Sequence, residues 1–106
     1  MFVLVATDSL SLAAQLEHSL LDRPGETTRA QREAATRAEG DGPLGQYVRQ
    51  IDQAAYKVTP EQVEALRTTH SDDALFELTV CAAHGAAKRR LDAGLRAIDD
   101  AFGDDP

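Results

Sequence analysis

Apolar positions along the chain recur at helical spacing, which predicts an all-α protein. Between residues 44 and 58 they return every three or four positions, as on the buried face of an amphipathic helix. A similar stripe over residues 10–21 stops before Pro24. Residues 29–39 contain no apolar side chain larger than alanine, so we expect a surface or partly mobile helix there.

Three polar stretches predict where helices begin. Thr27 or Thr28 can cap the second helix, and the sequence Thr-Pro-Glu-Gln at residues 59–62 has the form of a capping box. Ser71 can cap a long apolar helix that runs to about Phe102. We therefore expect one domain over residues 1–106, a small bundle of about five helices with one long central C-terminal helix.

The N-terminal residues break this helical pattern. Residues 2–6 form a β-like apolar run, but no second run of this kind exists to pair with it. An isolated strand leaves its backbone groups unsatisfied. We expect an extended arm over residues 1–8 that packs against a helix or a neighbouring subunit.

Composition narrows the classes of partner. A net charge of −7 over 106 residues repels nucleic acid and anionic lipid, so we expect neither as a partner. No apolar run approaches the roughly 20 residues that span a bilayer, and no signal-peptide pattern is present, so we expect a cytoplasmic protein. Three Phe, two Tyr and no Trp make a thin core, which favours a homo-oligomer.

Four reactive side chains share one stripe of the long helix. Glu77, Cys81, His84 and Lys88 are spaced by four, three and four residues. In one catalytic interpretation Cys81 is a nucleophile, His84 lowers the pKa of its thiol and Glu77 orients the imidazole. In another, Glu77 or His84 acts as a general base. In a structural interpretation Cys81 is a small hydrophobe, Glu77 a cap or ion-pair partner and His84 a hydrogen-bonded interface residue.

The structural interpretation is the favoured one, because side chains on a single helix lean in parallel and do not converge on a substrate atom. We expect no metal site, since His18, His70 and the acids lack a CxxC or HxxxH pattern to accompany Cys81. No sequence pattern indicates a cofactor. The basic run at residues 88–90 is interpreted as solvated helix surface.

One half of the chain resembles a known superfamily. Residues 47–97, and especially AYKVTPEQVEALR at 55–67 followed by DALFELTV at 73–80, resemble the carboxymuconolactone decarboxylase and alkylhydroperoxidase D superfamily. The resemblance implies an all-α subunit in which a short helix precedes a long alanine-rich helix, and assembly into trimers or hexamers.

The superfamily's peroxide-reducing site does not carry over. Members with that activity have a Cys-x-x-Cys pair followed by a histidine, and this chain has one cysteine. We expect a non-catalytic, oligomeric binding or accessory subunit that holds a protein partner or a small molecule at a subunit interface. The alternative is a one-cysteine thiol redox or peroxidase enzyme that uses Cys81 with His84 and Glu77.

Overall fold

The computed structural model describes residues 2–22 and 24–103, and within the first helix it describes side chains only at residues 11, 12 and 14–22. These residues form five α-helices and a single 3-10 turn, without a strand, so the prediction of an all-α bundle is confirmed. The elements are α1 (Phe2–Asp22), α2 (Arg29–Thr36), α3 (Gly42–Ala54), the 3-10 turn (Ala55–Lys57), α4 (Pro60–Leu66) and α5 (Asp72–Phe102).

The N-terminal segment differs from its prediction. The backbone is helical from Phe2 onward, so the extended arm expected over residues 1–8 is wrong for residues 2–8, and Met1 lies outside the described residues. A short apolar run fits a strand or a helix equally well by periodicity. A helix satisfies its own backbone groups, whereas a lone strand does not, and this favours the helix.

The three predicted helix starts are present. Thr28, rather than Thr27, caps α2 through a reciprocal capping box with Gln31. The Thr59 hydroxyl accepts from the Gln62 amide at 3.1 Å, but the Gln62 side chain donates to Gln50 of α3 instead of returning to the cap. Ser71 caps α5 by accepting from the amide of residue 74 at 3.1 Å. Helix starts are local interactions, which is why they are readable from sequence.

The core forms where α2, α3 and α4 pack against the first half of α5. Leu78 and Val48 are among its most buried side chains. Tyr47 adds a polar contact, since its hydroxyl lies 2.7 Å from the Thr79 hydroxyl. The buried cluster consists of Ala35, Tyr47, Val48, Leu66, Leu75, Leu78, Cys81 and Ala82, flanked by the partly buried Leu20, Leu44, Ile51, Val58 and Val63.

Helix α2 lies at the surface with residues 29–31 exposed, but its other face is buried more closely than its composition predicted. It buries Arg32, Ala35 and Thr36. The backbone of Thr36 approaches Gly85 so closely that a Cβ at Gly85 would overlap the Thr36 carbonyl oxygen. Small residues thus let the backbone of α2 pack directly against the backbone of α5. This close contact takes the place of burying large side chains between the two helices.

The basic run at residues 88–90 lies at the helix surface, where Arg89 and Arg90 are exposed and Lys88 is half-buried. Lys88 pairs with Glu17 of α1 at 2.9 Å. Arg89 donates to the carbonyl of Thr36 and pairs with Asp52 at 2.5 Å, and Arg90 donates to the backbone carbonyl of Asp52. These surface side chains thus also link α5 to α1, α2 and α3, which the sequence did not predict.

Within the described part of the chain, no helix combines the length and the hydropathy that crossing a membrane requires.

Replacing Gly85 with alanine should destabilise the fold strongly. The new methyl group meets the Thr36 backbone, which cannot rotate away, so we expect a cost of about 3 kcal/mol, at the upper end for overpacking. Gly94 of the same helix has open space around its Cβ position, so Gly94→Ala should stabilise by about 0.5–1 kcal/mol. Urea unfolding of both variants measures the difference, and equal effects would contradict the close packing of α2 on α5.

Candidate functional site

The carboxylate of Glu77 binds the loop between α1 and α2. One oxygen accepts from the Glu26 amide at 3.1 Å, and the other accepts from the Thr27 amide at 3.0 Å and from the Thr27 hydroxyl at 3.1 Å. A Cβ at Gly25 would overlap this carboxylate, so the glycine leaves room for it. Both oxygens of Glu77 are therefore used to hold a loop about 50 residues away in sequence.

Arg32 lies beside this loop and is 6% exposed. Its guanidinium donates to the Thr27 carbonyl, to the Thr27 hydroxyl at 3.1 Å and to the Leu21 carbonyl at 2.9 Å. Leu21 is in the last turn of α1, where unpaired carbonyls attract positive charge. Thr27 thus joins the carboxylate of Glu77 to the guanidinium of Arg32, and together they tie α1, α2 and α5 to one another.

The thiol of Cys81 is 1% exposed and belongs to the hydrophobic core. Burial raises the pKa of this thiol, the positive charge of Arg32 opposes the shift and the negative charge of Glu77 adds to it. Desolvation disfavours the thiolate, which is the nucleophilic form of cysteine. The environment of Cys81 is that of a packed side chain, not of an activated thiol.

His84 is half-buried one turn beyond Cys81. Its Nε2 atom is buried and has no hydrogen-bond partner among the described residues. No hydrogen bond joins His84 to Glu77 or to Cys81 in the described part of the chain, and the Glu77 oxygens are held by the loop instead. The catalytic role proposed for the three side chains stays a prediction.

Glu77 and Cys81 meet at a small pocket of about 140 Å³ between α1, α2 and α5. Its walls are mostly apolar, and Arg32 also contributes to them, whereas His84 does not. The structure thus brings two of the three predicted site residues to one cavity. The cavity is lined by Leu20, Arg32, Phe76, Glu77, Val80 and Cys81.

A second, more open groove of about 350 Å³ runs between the same three helices. The charged side chains that line this groove pair with one another: Glu17 pairs with Lys88, and Glu33 lies 3.8 Å from Arg37. Such internal pairing leaves little net charge for a ligand to neutralise. No group of three or more His, Cys, Asp or Glu side chains is arranged to hold a metal ion within residues 2–22 and 24–103.

Sequence reasoning missed Arg32 and Thr27, which complete the polar network around Glu77. Arg32 is one of several arginines near α2, and nothing in its spacing separates it from Arg29 or Arg37. Thr27 was recognised only as a possible cap. The signal that could identify them is the close packing of α2 on α5, which depends on contacts distant in sequence.

Comparisons with protein family models, with curated proteins and with solved structures find no match to this chain. The class of this protein is therefore defined by its own fold and site: it is a small all-α bundle in which a polar network anchors a loop against the long helix.

Replacing Glu77 with alanine should cost about 2 kcal/mol, because three hydrogen bonds to a charged group are lost and Thr27, a buried residue, is left short of partners. Glu64→Ala is the matched control, since the Glu64 side chain is 68% exposed and pairs with Arg67 at the surface. It should cost less than about 1 kcal/mol. Urea unfolding measures the loss of stability in each variant. A similar loss in both would contradict an anchoring role for Glu77.

The raised pKa of Cys81 predicts a loss of stability at alkaline pH. The folded state binds the thiol proton more tightly than the unfolded chain does. The resulting stabilisation is complete below the unfolded pKa and is lost as the pH rises through the folded pKa. The difference in free energy of unfolding between wild type and Cys81→Ala should therefore shrink as the pH rises from about 8 to 10. A difference that grew with pH would mean that the folded thiol is acidic.

Proposed function

We propose that this chain is a small alkylhydroperoxidase D-like helical protein that works as a non-catalytic, oligomeric binding or accessory subunit in the cytoplasm. The observation that carries the proposal is the use of Glu77 and Cys81 in folding. The carboxylate anchors the loop at residues 26–27, and the thiol is packed in the core. The two side chains best suited to chemistry are already engaged.

The state of Cys81 supports a non-catalytic role. A thiol nucleophile must ionise and meet its substrate, and reactive cysteines lie in electropositive, partly exposed surroundings. Cys81 is 1% exposed, and desolvation raises the pKa of its thiol. Both conditions oppose reaction near neutral pH.

The state of Glu77 supports the same conclusion. A carboxylate that orients a catalytic histidine must hydrogen-bond to the imidazole. Both oxygens of Glu77 instead accept from loop residues, and rotating the side chain toward His84 would break three hydrogen bonds.

Exposed apolar side chains support a binding role. Scattered exposed hydrophobics are ordinary, but contiguous ones mark contact surfaces. Large apolar side chains lie exposed on two helices, α1 and α5: Leu12, Leu16, Phe76, Leu91, Ile98 and Phe102.

The order of the last two helices supports the family resemblance. The short α4 precedes the 31-residue α5, which is the arrangement that the resemblance implies. Membership of the superfamily, and assembly into trimers or hexamers, stay predictions.

The second candidate function is a one-cysteine thiol redox or peroxidase enzyme. The pocket at Cys81 favours it, because a cavity of about 140 Å³ can admit a small oxidant and the Arg32 charge lowers the thiol pKa. Burial outweighs that charge in the net shift of the pKa, so this function ranks second.

A peroxide assay separates the two functions. Recombinant protein with an added dithiol reductant should consume hydrogen peroxide or an organic hydroperoxide no faster than Cys81→Ser does. The proposal depends on this equality, because only Cys81 can supply a thiol in this chain. Turnover by the wild type that disappears in Cys81→Ser would overturn the accessory role and establish the enzyme.

A further inference from the structure

The small pocket beside Cys81 has a buried cation in its wall. Arg32 lines the pocket and is 6% exposed. None of the ion pairs among the described residues includes its guanidinium. Buried charges in proteins are usually paired with an opposite charge, because an unpaired charge is costly to remove from water. A buried guanidinium without an acidic partner therefore requires an explanation.

The guanidinium of Arg32 also has unused hydrogen-bond donors. Its Nη1 donates to the carbonyl and the hydroxyl of Thr27, and its Nη2 donates to the Leu21 carbonyl. The Nε atom is buried and has no hydrogen-bond partner within the described part of the chain. Arginine has five N–H donors, so three bonds leave two donors, that of Nε among them, without an acceptor there. All of the acceptors present are uncharged.

Two other arginines show what this edge of a guanidinium binds. Arg67 donates from Nε and Nη2 to the two carboxylate oxygens of Asp72, at 2.8 and 3.3 Å. Arg89 uses the same two atoms to bind Asp52. Nε and Nη2 form a planar fork that matches a carboxylate. In Arg32, one atom of this fork donates only to a backbone carbonyl and the other donates to no described residue.

The charges beside the pocket favour an anion. Glu77 also lines it, but the two Glu77 oxygens already accept three hydrogen bonds from the loop at residues 26–27. The thiol of Cys81 reports the balance between the two charges. Burial is the largest effect and raises the thiol pKa, but Arg32 lowers this pKa by more than Glu77 raises it. Of the two charges, the positive one therefore has the greater effect inside the pocket.

The other walls of the pocket suit an apolar body. They are formed in part by Leu20, Phe76 and Val80. The volume is about 140 Å³, and an apolar cavity of about 150 Å³ can hold a benzene ring. A ligand of roughly six or seven non-hydrogen atoms therefore fits. Apolar walls with a few polar groups that fix orientation are typical of small-molecule sites.

Phe76 is the wall with the most freedom to move. The Nε atom of Arg32 is buried, so a ligand reaches it only when a neighbouring side chain shifts. Phe76 is 66% exposed, whereas Leu20 and Val80 are half-buried. Exposed side chains change rotamer on the picosecond to nanosecond timescale. Entry of a small ligand therefore requires no unfolding of a helix.

We propose that this pocket binds a small monocarboxylate with a branched or cyclic apolar body. The carboxylate accepts hydrogen bonds from the Nε and Nη2 groups of Arg32. The apolar body contacts Leu20, Phe76 and Val80. The inference rests on the binding role in the proposed function and names its ligand class. Binding removes apolar walls from water and gives the buried guanidinium the counterion that the described residues do not supply.

An NMR titration of isotope-labelled protein with isovalerate tests the site directly. The Nε–H signal of Arg32, assigned by its loss in Arg32→Lys, should shift in a saturable way, with a dissociation constant of about 1 mM or below. Two matched ligands separate charge from shape. Isovaleramide has the same body without the charge, and acetate has the charge without the body. Each should bind at least about tenfold more weakly than isovalerate.

Variants locate the ligand, with binding followed through the backbone amide signals of residues 27 and 81. Val80→Phe fills the pocket and leaves the hydrogen bonds of Arg32 in place, so it should weaken isovalerate binding at least about tenfold. Ala93→Phe is the matched control, because Ala93 is an exposed residue of the same helix that does not line the pocket. It should leave the affinity unchanged.

Arg32→Lys tests the planar fork. It keeps a positive charge but loses the paired donors, so isovalerate should bind at least about tenfold more weakly. Circular dichroism verifies that each variant is folded. The isovaleramide comparison and Val80→Phe require no change at Arg32, so they decide even when Arg32→Lys does not fold.

The outcomes separate the inference from the proposed function. Absence of a saturable shift with isovalerate, or equal affinity for isovalerate and isovaleramide, overturns the carboxylate site and leaves the non-catalytic role to the peroxide assay. Binding that Val80→Phe does not weaken lies elsewhere on the protein and also overturns the inference. Peroxide turnover that requires Cys81 overturns the proposed function, whereas the titration still reports on the site.

Discussion

The hydrogen bonds that Glu77 accepts from the α1–α2 loop are the constraint on which the arrangement of helices depends. They fix residues 26 and 27 on α5. Arg32 in turn donates to the Thr27 hydroxyl and to the Leu21 carbonyl, and so holds the end of α1 against the same loop. Among the side chains that the structure describes, α1 and α2 bury few large ones, so packing between these positions them weakly. A charged group with both oxygens occupied replaces part of that packing, and its removal leaves buried polar atoms unpaired.

The sequence predicts those parts of the fold that depend on local interactions. The caps at Thr28 and Ser71 are made within three residues, and the length of α5 follows from its uninterrupted pattern. It does not predict that residues 2–8 are helical, since a short apolar run suits either backbone. It also does not predict the closely packed face of α2, because an alanine-rich face buries little area by itself and becomes a packing surface only when Gly85 allows the Thr36 backbone to approach.

The candidate site divides in the same way. Helical spacing correctly places Glu77 and Cys81 on one side of α5, and both reach the same pocket. What each side chain does there depends on residues about 50 positions away in the chain. Helical spacing cannot predict which distant loop will pack against the helix. Arg32 illustrates the limit: its buried guanidinium, which opposes the upward shift of the Cys81 pKa, is indistinguishable in the sequence from its exposed neighbours.

The distribution of small and large residues along α5 connects the core to the rest of the molecule. Alanine and glycine in the first half let α2 pack closely, and the resulting core is narrow. Leu75 and Leu78 of the same half supply large side chains to that core, so small and large residues share the buried face of the helix there. Beyond Ala86 no described residue of α5 is fully buried, and the contacts at the start of this second half are polar: Lys88 pairs with Glu17 of α1, and Arg89 donates to the Thr36 carbonyl of α2. Close packing therefore holds the first half of α5, whereas charged hydrogen bonds attach the beginning of the second half to the neighbouring helices.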